Sequence, residues 1–510
     1  MNTSGAHENQ NNIDDLHAKL VCGLELLERK KYQESESYIE AVLNAQPLNP
    51  ELIHLLGVIN YQSQNLPKAL DLLVQSVQLN PSNSKAHYNL GLVLYDLHRL
   101  EDAIESYTKA IELNPHYCDA LSNRGAALFD LNKLNDAIKD LNLAVQIDPN
   151  HANAHINLGN TLHLMQRLDD ALLSYKKAID LEPLNAIAHW GYATTLLHTG
   201  KYDNGFVEFE WRVKNPRLSS LFNEKYKGNP WTGKDSLLNK TILLHSEQGL
   251  GDTIQFCRYI KKVKELGAEI YVCAEEPLLK ILSDIPGVAK VFIKGSDTIP
   301  DHDYHCSFLS LPYAFSTSLN SLPNSVPYLP IDIEKKMKWQ KKMGAKVKPR
   351  IGLVWSGGYR PNNPELYLVN NRRNIQLEKF LALEDLDIEI YSLQKGKKAE
   401  NELKEFSAQH TFGSRIIDFT NELSDFTDTA ALIENLDLVI SVDTSTAHLA
   451  GALGRPVWIL NRFDNCWRWL ANREDSPWYP SARLFRQQVD GDWDMVMNRI
   501  KYQLTEYFQL

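Results

Sequence analysis

The chain of 510 residues is short of cysteine, of basic excess and of long apolar runs, and each shortage removes a class of protein. Its six cysteines, Cys22, Cys118, Cys257, Cys273, Cys306 and Cys466, are scattered without a CxxC pair. A disulfide scaffold or a structural zinc centre clusters its thiols, so reduced thiols in a cytoplasmic protein are expected. Lys and Arg number 54 against 64 Asp and Glu, a formal net charge of -10. Nucleic-acid binders carry a basic face, so no nucleic-acid partner is expected. No apolar run reaches membrane-spanning length. The opening MNTSGAHENQNNIDDL has neither the charged start nor the apolar core of a signal peptide. What remains is ordinary globular composition, 43% hydrophobic and 23% charged, in a chain long enough for two to four domains.

What is present is a period. Pro47, Pro81, Pro115, Pro149 and Pro183 stand 34 residues apart. Gly57, Gly91, Gly125 and Gly159 keep the same spacing, as do Ala69, Ala103, Ala137 and Ala171, and Ala110, Ala144 and Ala178. Small residues let two helices of a hairpin approach closely, and proline stops the second one. The unit resembles the tetratricopeptide repeat, which implies an α superhelix. We expect a disordered stretch over 1–13 and a repeat domain over 14–219, of about six units. The last unit is degenerate: Ala193 replaces the glycine, Gly205 the first alanine and Arg212 the second. Asn89, Asn123 and Asn157 precede the glycines by two residues. Stacked, they form a ladder of amides that can bond the backbone of an extended peptide; the protein O-linked N-acetylglucosaminyltransferases look similar here. The plain alternative is that asparagine is simply common at this repeat position. As a ladder the three sit on a solvated concave face, where substitution is expected to cost little stability.

Beyond residue 216 the period gives way to β-branched runs alternating with helical stretches, the pattern of parallel α/β units. We expect a first lobe over 220–332, a linker over 333–349 and a second lobe over 350–510. In the first lobe Thr241–His245 reads as a strand, 246–251 as a glycine-bearing loop and 252–266 as a helix with Asp252 at its N-cap. Asp252 either caps that helix or offers a carboxylate at the strand's C-terminal edge, where open α/β sheets bind ligands. In the second lobe, LDLVISVDTSTAHLAGALGRPVWIL (436–460) reads as strand, polar turn, short helix and strand. The threonines and free N–H groups at that helix start suit a diphosphate.

GLGD after the first strand together with DTSTAHLAGALGRPVW near the end resembles the ADP-heptose-type glycosyltransferases. Above all it resembles the bacterial branch in which tetratricopeptide repeats precede that domain. The resemblance implies a GT-B fold of two Rossmann-like lobes, acceptor on the first and nucleotide-sugar on the second. It also implies inverting sugar transfer with no metal or other cofactor. Some relatives of this layout modify flagellin held by the repeats. Carried over, Asp252 becomes the base for the acceptor hydroxyl, and Gln248, Gly249 and Gly251 its acceptor loop. Asp443, Thr444, Ser445, Thr446 and His448 fall at the donor, where His448 has a second reading as a packing residue. Gly357 and Gly358 allow close backbone approach to the donor. Lys395 and Arg373 balance phosphate charge, a task that Arg372 could serve equally. Asp301-His302-Asp303 has metal-ligand spacing but reads as a surface loop. The aromatic tail around Trp467, Trp469, Trp478 and Tyr479 is expected to pack on the cleft rim or across the lobes. The readings that compete are transfer to a protein on the repeats, transfer to a lipid-linked or polysaccharide glycan, and an inactive scaffold.

Overall fold

The structure, a computed structural model, describes residues 4–222, 226–295, 299–358 and 372–510, with side chains described from Asp14 onward. The chain forms two compact units, Met1–Gly191 and Tyr192–Leu510.

The first unit is a helical repeat. Hairpins are built from Ser4–Glu28 with Tyr32–Leu43, Pro50–Gln62 with Leu66–Leu79, Ser84–Asp96 with Leu100–Leu113, Cys118–Asp130 with Leu134–Ile147, and Ala152–Leu164 with Leu168–Leu181. The first helix starts ahead of residue 14, within the stretch expected to be disordered. Once Leu16 and Leu20 are anchored against the next hairpin, adding turns at the front costs little. Each repeat glycine receives one side chain of its partner helix. A Cβ on Gly57 would lie 2.7 Å from Leu73 Cγ, and one on Gly91 2.5 Å from Tyr107 Cε1. The alanines Ala69, Ala103, Ala137 and Ala171 are fully buried. Each hairpin turns through one left-handed residue, Lys30, Gln64, His98, Asn132 and Gln166 in succession.

The asparagine ladder behaves differently from its expectation. The Asn89 amide donates to His54 Nε2 (2.7 Å), that of Asn123 to Tyr88 Oη (3.1 Å) and that of Asn157 to Ser122 Oγ (3.1 Å). Each partner lies one repeat back, on the neighbouring inner helix. The amides therefore stitch repeat to repeat, half-buried, and their removal is not free. Changing all three to Ala is expected to destabilise the repeat unit by about 1 kcal/mol per bond. Denaturant melts of the single and triple variants check this. A triple variant within about 0.5 kcal/mol of wild type, the norm for surface changes, would return the three to a purely solvated role.

The second unit begins earlier than the expected boundary at 219. Its first helices are the end of Ala186–His198 and Tyr202–Phe209. Tyr202, Phe206 and Phe209 pack on Trp478 and Trp467 from the C-terminal region, with ring centroids 5.7–6.0 Å apart. These apolar contacts draw the degenerate last repeat into the α/β core.

Eleven described strands form two parallel sheets. The first holds β1 (Asn229–Pro230), β2 (Thr241–His245), β3 (Glu269–Ala274), β4 (Val288–Ile293) and β5 (Tyr304–Ser307) in the order β1-β5-β2-β3-β4. The second holds β6 (Arg350–Val354), β7 (Glu389–Ser392), β8 (Ile416–Asp418), β9 (Leu438–Val442), β10 (Val457–Asn461) and β11 (Ala482–Arg486) in the order β11-β10-β9-β6-β7-β8. This is the two-sheet α/β arrangement expected, and it is consistent with GT-B. The strand order reverses beside β2 in one sheet and between β6 and β9 in the other. Such reversals open a crevice at the C-terminal strand ends. The inter-lobe helix spans Ile333–Met343, and the C-terminal helix Trp493–Phe508 packs into the core of the second sheet. No described helix is long and apolar enough to cross a membrane.

Candidate functional site

Both motifs lie at those reversal points. After β2 the chain runs through Ser246–Gly249 into the helix Leu250–Phe256. Gly249, not Asp252, is the N-cap. Its extended backbone lets the helix begin earlier, so Asp252 becomes the third helical residue and its carboxylate accepts the Gly249 N–H at 2.9 Å. The expected cap is thus real but reversed: Asp252 reaches back to the cap residue. Gln248 bonds only its neighbour, Nε2 to Glu247 Oε1 at 3.4 Å among the described contacts.

After β9 come Asp443 and Thr444, then the helix Ser445–Ala452. Thr444 is its N-cap, yet its hydroxyl bonds Ser441 Oγ (2.9 Å) rather than the first turn. Asp443, Thr444 and Ser445 are partly exposed and Thr446 is buried. The two helices press together. A Cβ on Gly251 would lie 2.8 Å from His448 Cδ2 and 3.5 Å from Ser445 Cα, so glycine is what allows GLGD to touch DTSTAH.

His448 itself is buried. It stacks on Trp469 with centroids 5.0 Å apart, and its Nδ1 bonds Tyr479 Oη at 2.9 Å. Nε2 faces Asp443 Oδ1 at 3.9 Å. His448 is thus packed between Trp469 and Tyr479, with its second ring nitrogen turned towards Asp443. Burial lowers its pKa to about 4, so the imidazole is neutral at pH 7. Its folded value lies below the unfolded one near 6.5. The stability it contributes is complete above pH 6.5 and is lost as pH falls towards 4, at up to about 1.4 kcal/mol per pH unit. Denaturant melts at pH 7.5 and 5.0 are expected to differ by about 2 kcal/mol from this group, a difference that His448→Asn should remove. An unchanged pH slope in that variant would clear His448 of the effect.

The glycines after β6 serve two ends. A Cβ on Gly357 would lie 2.1 Å from Arg373 Nη2, so its lack of a side chain seats the arginine. Arg373 Nη1 then donates to the Asp443 carbonyl at 2.8 Å, tying the β6 and β9 ends together. A Cβ on Gly358 would meet no neighbour within 4 Å among the described residues. Arg372 turns to Asp464 (3.1 Å). Lys395, at the β7 end, is exposed and its ammonium donates to the Leu423 carbonyl. Asp301 and Asp303 sit before β5, at the N-terminal strand ends and so opposite the site, paired with Lys227 and Lys240. Asn89, Asn123 and Asn157 belong to the other unit.

Two arginines complete the site that sequence reasoning did not single out as functional. Arg468, between Trp467 and Trp469, pairs through Nη2 with Asp252 Oδ1 and rests over the Trp467 ring at 4.5 Å. Burial opposes its charge, and Asp252, Cys466 and Asp443 more than restore it. Arg212 is fully buried and binds Glu247 with two bonds, Nε to Oε1 at 2.8 Å and Nη2 to Oε2 at 2.7 Å. Glu247 also accepts from Ser307 Oγ at 2.7 Å. Burial alone would raise the Glu247 carboxyl, and Arg212 holds it below the usual range. The only sequence signal for Arg212 was its break in the column of small residues; for Arg468 there was none. Trp467, Trp469, Trp478 and Tyr479 are all buried, bridging the two lobes as the tail was expected to do.

Comparison with known proteins finds both kinds of segment. Residues 84–117 and 152–185 match the tetratricopeptide repeat family, and 57–98 and 125–166 match a TPR repeat family. Residues 383–465 match glycosyltransferase family 9 (heptosyltransferase). The chain is 26% identical to Protein FlbA of Caulobacter vibrioides (strain ATCC 19089 / CIP 103742 / CB 15) over 338 residues, 60% of this chain and 53% of FlbA. It thus spans about half the length of that relative. A thermophilic TPR protein of Thermus thermophilus is 23% identical, with TM-score 0.32, covering 36% of this chain and 99% of that one. YrrB, a TPR protein with an unusual peptide-binding site, is 22% identical, with TM-score 0.31, covering 36% and 94%.

Proposed function

From a chain in which tetratricopeptide repeats precede a glycosyltransferase family 9 (heptosyltransferase) segment, we propose a cytoplasmic enzyme that moves a sugar from a nucleotide-sugar to an acceptor protein held by the repeats, inverting the anomeric centre without a metal. The observation that carries this reading is the approach of the GLGD loop, through Gly251, to Ser445 and His448, with Asp252 paired to Arg468 beside it. Asp252 accepts the acceptor hydroxyl's proton as its oxygen attacks the sugar carbon. The uncapped first turn of Ser445–Ala452 and the hydroxyls of Thr444 and Ser445 receive the diphosphate. The side of the Asn89, Asn123 and Asn157 amides that is not spent on the neighbouring repeat bonds the acceptor chain, flagellin being one candidate of the right kind.

The test is a thermal-shift panel of ADP-, GDP-, UDP- and CMP-linked sugars. A donor at about 100 times its dissociation constant should add roughly 2.7 kcal/mol. Failure of every nucleotide to stabilise the protein would sink the donor assignment. Transfer with the stabilising donor should survive excess chelator; loss that Mg²⁺ or Mn²⁺ restores would overturn the metal-free mechanism.

A further inference from the structure

Arg468 is more than nine-tenths buried, yet among the described residues only one of its three nitrogens has a strong partner. Nη2 holds Asp252, Nη1 reaches the weak acceptor Cys466 Sγ at 3.1 Å, and Nε has no hydrogen-bond partner among the described residues. A buried guanidinium with unfilled donors has capacity for a second anion. Its position favours one: it comes from the second lobe, adjoins the Asp443 turn electrostatically, and meets the first lobe at Asp252. A carboxylate engaged by a guanidinium has one oxygen less to offer a proton.

We propose that Arg468 is a latch on the catalytic carboxylate, released by the donor's diphosphate, which competes with Asp252 for the guanidinium. The inference rests on the glycosyltransferase reading above. With the diphosphate on Arg468, Asp252 is free to take the acceptor's proton. The acceptor oxygen then bonds to the anomeric carbon, and the carbon–oxygen bond to phosphate breaks. Its electron pair leaves on the nucleoside diphosphate, whose added charge Arg468 carries. Proton acceptance is thereby coupled to donor binding, and acceptor chemistry waits for the donor. Arg468 is then a cation at the leaving group, distinguished from Lys395 and Arg373 by its pairing with Asp252.

Calorimetric titration of the full-length protein with ADP, GDP, UDP and CDP tests the competition. Asp252→Asn removes the competing charge, so the nucleoside diphosphate that binds wild type should bind this variant about tenfold tighter. Arg468→Gln should weaken it by about tenfold, and Arg468→Lys should keep most of the affinity because the charge remains. In the double variant Asp252→Asn, Arg468→Gln, the tightening should vanish, which is the coupling a latch requires. If Asp252→Asn leaves the affinity of a bound diphosphate unchanged or weaker, the latch is wrong while the donor assignment stands. Tightening that persists in the double variant also overturns it, since the gain would then come from lost negative charge alone. If none of the four diphosphates binds wild type, the glycosyltransferase reading falls and the latch with it.

Discussion

Asp252→Asn is expected to lower sugar transfer by about 10²- to 10⁴-fold, the range for losing a positioned general base. The variant should fold. Asparagine keeps an oxygen for the Gly249 N–H, so the cap that starts the helix Leu250–Phe256 survives. What it loses is the ability to hold a proton and the ion pair with Arg468. The expected signature is a fall in kcat at saturating donor with no loss of donor affinity. Steady-state transfer, with thermal melting as the fold control, reads it directly. Transfer at the wild-type rate would remove Asp252 from the chemistry and leave it as a helix cap.

Arg212→Met should produce the largest change in stability. Glu247 lies just beyond the end of β2, buried, and its charge is balanced by two bonds from Arg212. Removing one partner of a buried pair typically costs about 3–5 kcal/mol, because the other charge is left uncompensated. Glu210 and Ser310 are also held by Arg212, at 2.6 and 2.7 Å, so their partner is lost as well. The loop carrying Gly249 and Gly251 hangs from Glu247, so residual activity should fall with stability. Arg212→Lys, which restores charge but not the two-pronged geometry, should recover only part. Guanidinium-chloride melts of the full chain decide the matter: a loss below about 1 kcal/mol would mean that Glu247 is stabilised some other way.

Much of the architecture was legible because it is local. A proline just past a helix stops it from continuing, and a glycine sixteen positions before a large residue admits it across a hairpin, as Gly57 admits Leu73. The β2 and β3 spans were readable from their apolar runs, and the helix after β9 from its polar start. The expected helix 252–266 was harder. It divides into Leu250–Phe256, a tighter turn and Ile260–Glu265, and within that turn Arg258 bonds the Trp478 and Pro323 carbonyls at 2.8 and 3.0 Å. No local pattern encodes those partners. The asparagine ladder was visible as a column, but whether its amides face a ligand or the next repeat depends on the distance between stacked helices.

The sequence by itself determined the repeat hairpins, the two parallel α/β lobes and the two polar loops, since backbone hydrogen bonding and apolar periodicity act over a few residues. Only the tertiary structure decided that Gly251 meets His448, that Asp252 is held by Arg468, and that Arg212 of the last repeat supports the loop before GLGD. These pairs join residues far apart in the chain. Their energy comes from charge and close contact in a water-poor interior, where a partner is selected by position in space and not by spacing along the backbone.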